Sequence, residues 1–244
     1  LSNALRDDTF LISIMLANNE IGVIQPIEKI FKICQRNNIK LHTDAAQSLG
    51  YLPIKSFDSL ANMITLSSHK IYGPKGIGLL IIDEDIQLKP ILYGGGQEFG
   101  YRSGTIPLPL IVGFSKAIEL AIKNQARNSI QLANLRDSLM NGLLKENSKI
   151  IINGSIINRL PHNLNLTVLD INGSKFHKYI KHQIACSSGS ACSNGKVSHV
   201  LQSIGRSFKE AESSVRLSIG LTTTPQEIEK SIYKITETIN KLRT

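Results

Sequence analysis

Apolar and polar positions along this chain follow two different periods. Residues 9–16 (TFLISIML) make a largely apolar run of strand length, closed by the polar, turn-prone Ala17-Asn18-Asn19-Glu20. Pro26 then opens a segment with Ile27, Ile30, Phe31 and Cys34 at helical spacing, stopped by Asn37-Asn38. Short apolar runs at 39–43, 62–66 and 77–82 predict further strands, the last after a Gly-Pro-Lys-Gly turn. Strand–helix–strand alternation of this kind predicts an α/β sheet domain. A long amphipathic stretch over about 109–146 follows, with Ile111, Phe114, Ile118, Leu132, Leu135 and Leu139 on its apolar side. The second half reads as α+β, with strands at 149–153, 164–169 and 214–219. Its last helix is announced by Thr224-Pro225-Gln226-Glu227, a capping box with Pro at the first helical position. A boundary falls near residue 122, giving domains of 1–122 and 123–244.

Composition narrows the class. The 244 residues are 41% hydrophobic and 19% charged, the balance of a globular protein. No apolar run reaches 18 residues and no signal-peptide pattern opens the chain, so no membrane span is expected. The net charge of +9 is dispersed through helical segments without a dense basic block, which argues against direct nucleic-acid binding. Three cysteines (34, 186 and 192) do not make a disulfide framework. They suit a reducing, cytoplasmic setting and leave room for a reactive thiol.

Three polar clusters each follow an apolar strand: Asn18-Asn19-Glu20, Asp44-Ala45-Ala46-Gln47 and Ser67-Ser68-His69-Lys70. In α/β sheets, ligand-binding residues collect at the C-terminal ends of strands, so neighbouring strands would bring these clusters to one cleft. A Lys there can form a Schiff base, an Asp can hold a protonated ring nitrogen, and Ser and His can hold a phosphate. Ser-Ser-His-Lys alone reads better as a polar loop; the coincidence of three clusters is what favours a site. In the second half, Cys192 stands among Ser, Gly and Ala in residues 187–195, which predicts an accessible loop thiol. Cys186 follows Ile184-Ala185 at the end of an expected strand and reads as a small core residue. Cys186 and Cys192 could be half of a zinc site, but no His or Cys pair supplies the other half.

The run 41–50 (LHTDAAQSLG), followed by 68–78 (SHKIYGPKGIG), resembles the cysteine desulfurases of the NifS/IscS type, within the class V aminotransferase-like group. Gly94-Gly95-Gly96-Gln97-Glu98 with Arg102-Ser103-Gly104-Thr105, the run 187–192 (SSGSAC) and the run 214–220 (SVRLSIG) match as well, in the same order. The resemblance implies a fold-type-I pyridoxal-phosphate large domain with a mostly parallel sheet, plus a C-terminal α+β small domain carrying the cysteine loop. It implies that Lys70 bonds pyridoxal 5'-phosphate, Asp44 meets the pyridine nitrogen, Gln47 meets the ring hydroxyl, and Ser67 and His69 hold the phosphate. By the same likeness Thr105 reaches the phosphate of a neighbouring subunit in a homodimer. Asn19 serves cofactor and substrate, and Arg216 holds the substrate carboxylate.

Cys192 resembles the nucleophile that takes sulfur from L-cysteine as a persulfide, releasing L-alanine and feeding a sulfur acceptor or iron–sulfur scaffold. The likeness implies no resident metal, with Cys192 at most a transient iron–sulfur ligand. Members of this family begin well before the point matching Leu1. A preceding segment is therefore expected to supply further strands, a phosphate-binding turn and a His stacked on the cofactor ring. Two other readings follow: a silent fragment or part of a split protein, and a selenocysteine lyase or other class V enzyme. The Cys192 loop argues against the latter.

Overall fold

The computed structural model describes residues 1–53, 60–188 and 197–243. They fall into two compact units, one of Leu1–Leu16 with Gln25–Gln125 and the other of Ala17–Ile24 with Ala126–Thr244.

The first unit contains β1 (Leu11–Met15), α1 (Ile27–Arg36), β2 (Lys40–Asp44), β3 (Met63–Ser67) and β4 (Gly78–Ile82). A fifth element, α2 (Leu108–Glu146), starts in this unit and continues into the second. The sheet runs in the order β1-β2-β3-β4; the first three strands are parallel and β4 is antiparallel to β3. Strand alternation puts Ile12, Leu41, Ile64 and Leu66 on one face, where they are buried with Ile27, Phe31 and Cys34 of α1 and Phe114 and Ala117 of α2. The spacing of those α1 residues is the helical stripe visible in the sequence. Asn38, just past the helix, takes a left-handed φ of 53°, a conformation Asn tolerates better than most residues. The opposite face carries Leu11, Ser13, Met15, His42, Asp44 and Leu80, all exposed or half-buried. The strands expected at 9–16, 39–43, 62–66 and 77–82 are present, displaced by two residues at most.

The second unit holds β5 (Ile150–Ile152), β6 (Asn163–Val168), α3 (Gly173–Ile180), β7 (Ser187–Ser188), α4 (His199–Ser203), α5 (Phe208–Glu212), β8 (Ser214–Ser218) and α6 (Pro225–Arg243). Its antiparallel sheet has the order β5-β6-β8-β7. The capping box of α6 forms as expected, with Thr224 N–H donating to Glu227 Oε2 at 2.8 Å and Glu227 N–H donating to Thr224 Oγ1 at 3.3 Å. Three short helices, α3 to α5, gave no periodic signal because each spans little more than a turn or two. Local caps start them instead: Asn172 accepts from Lys175 N–H, Ser198 from Leu201 N–H, and Ser207 with Glu210 forms a capping box.

Strand β6 is buried along its whole length. Leu164, Leu166 and Val168 are fully buried, and so are the alternate Asn165 and Thr167. Asn165 and Thr167 are satisfied internally. Asn153 Nδ2 donates to Asn165 Oδ1 at 2.8 Å and to Thr167 Oγ1 at 2.9 Å, and Thr167 Oγ1 lies 2.7 Å from Ser214 Oγ. Arg206 Nε donates to Asn153 Oδ1 at 2.7 Å. Buried polar atoms paired in this way avoid the desolvation cost of about 1–3 kcal/mol that each unpaired one would incur.

His177 on α3 gives this unit a pH dependence. Burial pulls its imidazole below the ordinary value of 6.5, while hydrogen bonds at the Ser214 and Glu212 backbone and the Glu212 charge oppose the shift. The folded chain then binds fewer protons at His177 than the unfolded chain just below pH 6.5. Stability is therefore present above that value and is lost as pH falls through it toward the lowered folded value. Denaturant melts at neutral pH and at about pH 5 should show a lower midpoint in acid, and His177→Asn should remove part of that difference.

Candidate active site

Parallel strands deliver their C-terminal ends to one edge of a sheet, and two of the three polar clusters meet there. Asp44 is the last residue of β2 and Ser67 the last of β3, with Asp44 in register with Thr65. The Asp44 carboxylate is exposed, and its Oδ1 accepts from Ala46 N–H at 2.9 Å, which fixes its rotamer and leaves Oδ2 without a protein partner among the described residues. Gln47 is half-buried in the turn that follows. Ser67 Oγ lies 2.9 Å from His69 Nδ1.

Lys70 sits in a 3-10 turn, Ser68–Ile71, directly after β3. The turn is closed by Tyr72 in a left-handed conformation (φ 65°). Gly73 follows because the chain presses on Ser68: a Cβ at Gly73 would lie 2.3 Å from Ser68 Oγ. Buried Tyr51 donates its hydroxyl to the Lys70 carbonyl at 3.4 Å. Burial pushes the Tyr51 phenol up, and its contact with Tyr72 adds to the shift, so it stays a neutral donor. The Lys70 side chain is exposed, and among the described residues no carboxylate pairs with it. Thr105 is exposed at the end of the loop 94–105, which is tied to itself by Gly104 N–H donating to Gln97 Oε1 at 2.9 Å and Gly96 N–H donating to Ser103 Oγ at 3.3 Å.

The third cluster, Asn18-Asn19-Glu20, belongs to the second unit. Asn18 Oδ1 accepts from Glu20 N–H at 2.8 Å and from Ile21 N–H at 3.0 Å, folding the segment into a tight turn. Asn163 and Asn165 of β6 clamp that turn by donating to the Glu20 carbonyl at 3.2 and 3.1 Å. Arg216 of β8 donates from Nη1 to the Asn19 carbonyl at 3.1 Å, so Asn19 and Arg216 are neighbours. Arg216 Nε is buried without a partner among the described residues, which leaves part of its donor fork unused. The Glu20 carboxylate accepts from Ser198, the cap of α4.

Cys192 lies outside the described residues. Cys186 precedes β7 instead of ending a strand, and it is half-buried, not a core residue. Burial raises its thiol pKa and keeps it protonated, which makes it a poor nucleophile. Among the described residues no group of His, Cys, Asp and Glu could hold a metal ion, and no helix is long and apolar enough to cross a membrane.

Sequence reasoning passed over the residues that hold this edge. His42, Ser13 and Thr65 share the exposed sheet face with Asp44; their spacing of two along each strand was the available signal. Asn163 and Asn165 also alternate in an apolar strand, a pattern ordinarily read as a solvent-facing side. Tyr51 carried no signal at all.

The donor set suits pyridoxal phosphate. A free amine, a carboxylate with one open oxygen, a Ser–His pair and a half-buried amide are what its aldehyde, ring nitrogen, phosphate and ring hydroxyl require.

The family model described as aminotransferase class-V matches residues 1–230. The "Cysteine desulfurase IscS" of Histophilus somni strain 2336 is 43% identical, over all of this chain and 61% of its own length. The mitochondrial cysteine desulfurase of Arabidopsis thaliana is 41% identical, over all of this chain and 54% of its length. Among solved structures, a NifS-like protein aligns with a TM-score of 0.89 at 32% identity, covering 98% of this chain and 64% of the other. The NifS-like protein from Rickettsia africae aligns with a TM-score of 0.86 at 35% identity, covering 95% and 62%. The chain thus spans about three fifths of the length of the curated bacterial relative.

The anchored turn is testable. Asn18→Ala removes the acceptor for two backbone N–H groups and should destabilise the protein by about 1–3 kcal/mol in denaturant unfolding. Gly22→Ala should be at least as costly. Gly22 has φ 70°, and a Cβ there would lie 2.6 Å from Asn163 Oδ1.

Proposed function

Because the chain belongs to the aminotransferase class-V family, we propose that it is the greater part of a pyridoxal-phosphate-dependent cysteine desulfurase, acting in the cytoplasm as a homodimer. The observation that carries the reading is Lys70 itself: an exposed, unpaired amine on a tight turn at the same sheet edge as Asp44 and Ser67. Resemblance to the family supplies the roles. Lys70 bonds the cofactor aldehyde, Asp44 accepts from the protonated ring nitrogen, and Gln47 meets the ring hydroxyl. Ser67 and His69 bind phosphate oxygens, joined by Thr105 of the other subunit. Two observations support the setting. Phe99, 99% exposed, lies in the loop that ends at Thr105, and Ile91, 91% exposed, precedes it; both suit a face covered by a second copy. Cys34 and Cys186 are free thiols, as in a reducing compartment.

Bound there, pyridoxal phosphate supplies the electron sink that allows the α-proton of L-cysteine to leave. Arg216 holds the substrate carboxylate with its unused donors, helped by Asn19. With the substrate amine on the cofactor, the Lys70 ε-amino group would be free to take the α-proton. The Cys192 thiolate attacks the substrate sulfur. An S–S bond forms as the substrate Cβ–S bond breaks, and the electron pair of that bond ends, protonated at Cβ, in L-alanine. Cys192 then carries a persulfide for an acceptor or iron–sulfur scaffold protein.

A second reading, in which this span needs a complementing segment to hold the cofactor, is favoured by its covering 61% of a curated relative. Adding pyridoxal phosphate to the pure chain should give a yellow protein that releases sulfide and alanine from L-cysteine with a reductant. Lys70→Ala should lose the colour and lower turnover at least about a hundredfold. Cys192→Ala should keep the colour and form no persulfide, and Cys186→Ala should keep both. A colourless chain that turns yellow only on mixing with the N-terminal part of a relative favours the second reading. Colour that survives in Lys70→Ala refutes the assignment of that residue.

A further inference from the structure

On the exposed face of the first sheet, Ser13 Oγ lies 2.7 Å from His42 Nδ1, and His42 Nε2 lies 2.8 Å from Thr65 Oγ1. One imidazole therefore spans β1, β2 and β3 with both ring nitrogens engaged. Each hydroxyl can donate or accept, so the bridge is satisfied in either ring tautomer. His42 precedes Asp44 by two residues and so shares its face. Thr65, its partner on β3, is the residue in register with Asp44. Beyond this row only the last backbone bonds remain, Leu16 N–H to the Asp44 carbonyl at 2.8 Å and Ala45 N–H to the Thr65 carbonyl at 2.9 Å.

The other face of the sheet is locked by close-packed Leu41, Ile64 and Leu66. On the exposed face no such packing orders the strand ends among the described residues. Of the other neighbours on this face, Leu11 and Leu80 are apolar, and Ser67 Oγ is engaged with His69 Nδ1 at 2.9 Å. Lys40, two residues before His42, is turned to Asp85, with Nζ 2.6 Å from Oδ2.

We propose that His42 is a positioning residue that ties the C-terminal ends of the three parallel strands so that Asp44 is presented to the cofactor's ring nitrogen at a fixed place. The cofactor part rests on the pyridoxal-phosphate reading above; the bridge does not. His42 touches neither substrate nor cofactor and acts through Asp44.

The test compares His42→Leu, Thr65→Val and the double variant in the whole chain. Backbone amide exchange without cofactor is read at Leu16 and Ala45, with the amides of β6 as reference. Each single variant should speed exchange at Leu16 and Ala45 by about tenfold and leave β6 unchanged, and the double variant should be no worse than either single one. His42→Asn, which can keep the Ser13 side of the bridge, should fall between. In the same variants, affinity for pyridoxal phosphate, followed by absorbance, should drop by about tenfold in parallel. Unchanged exchange at Leu16 and Ala45, or effects that add in the double variant, would overturn the proposal. Altered exchange in the variants, together with an unsubstituted chain that binds no pyridoxal phosphate, would sustain the bridge and count against the cofactor reading alone.

Discussion

A strand buried on both faces must find partners for the polar side chains it carries, and β6 does so for Asn165 and Thr167 with a layer built on Asn153 and Ser214, while Asn163 Oδ1 has no partner among the described residues. Much of the second unit hangs on that layer. It fixes β6 against β8, and β8 carries Arg216. The Asn163 and Asn165 amides reach past it to the Glu20 carbonyl and hold the turn that carries Asn19. In a low-dielectric interior such a network is worth having only when complete, because each orphaned donor or acceptor is costly. Arg159 shows the same constraint from the cationic side. Burial, then repulsion from Arg136, lowers its pKa to about 10, and the guanidinium is accommodated by the Asn153, Ser155 and Asn163 carbonyls.

The first unit solves a different problem. Three parallel strands end at one edge of the sheet. That geometry makes Asp44, Ser67 and Lys70 available for chemistry and also leaves them without the packing that orders core side chains. Local devices compensate: the Asp44–Ala46 hydrogen bond, the left-handed Tyr72, and the Tyr51 hydroxyl on the Lys70 carbonyl. Each spends a polar contact or a strained torsion to present one side chain, the usual trade at a functional edge.

The unpaired Lys70 amine and the unused donors of Arg216 belong to separate units, and each is prepared within its own unit. Lys70 is prepared by a turn and by freedom from ion pairs, Arg216 by a strand position beside Asn19. The proposed function joins them in one reaction. In the first unit His42 bridges Ser13 and Thr65 on the face that carries Asp44, and in the second Asn163 and Asn165 hold the turn that carries Asn19.

The sequence by itself determined the elements and most of the candidate chemistry. Short apolar runs marked the strands other than β7, helical spacing marked α1 and α2, and a capping box marked α6. Contiguous motifs named Asp44, Gln47, Ser67, His69, Lys70 and Arg216, because each motif lies on one short segment. The short helices α3 to α5 stayed invisible, as each is too short to show a period. Only tertiary structure decided that Asn18-Asn19-Glu20 belongs with Arg216, through hydrogen bonds to residues more than 140 positions away. It alone decided that the polar side of β6 is buried, because alternation looks the same whether the second face meets water or a paired polar layer. The bridge from Ser13 through His42 to Thr65 also had to wait for strand order and register, which decide which side chains stand side by side.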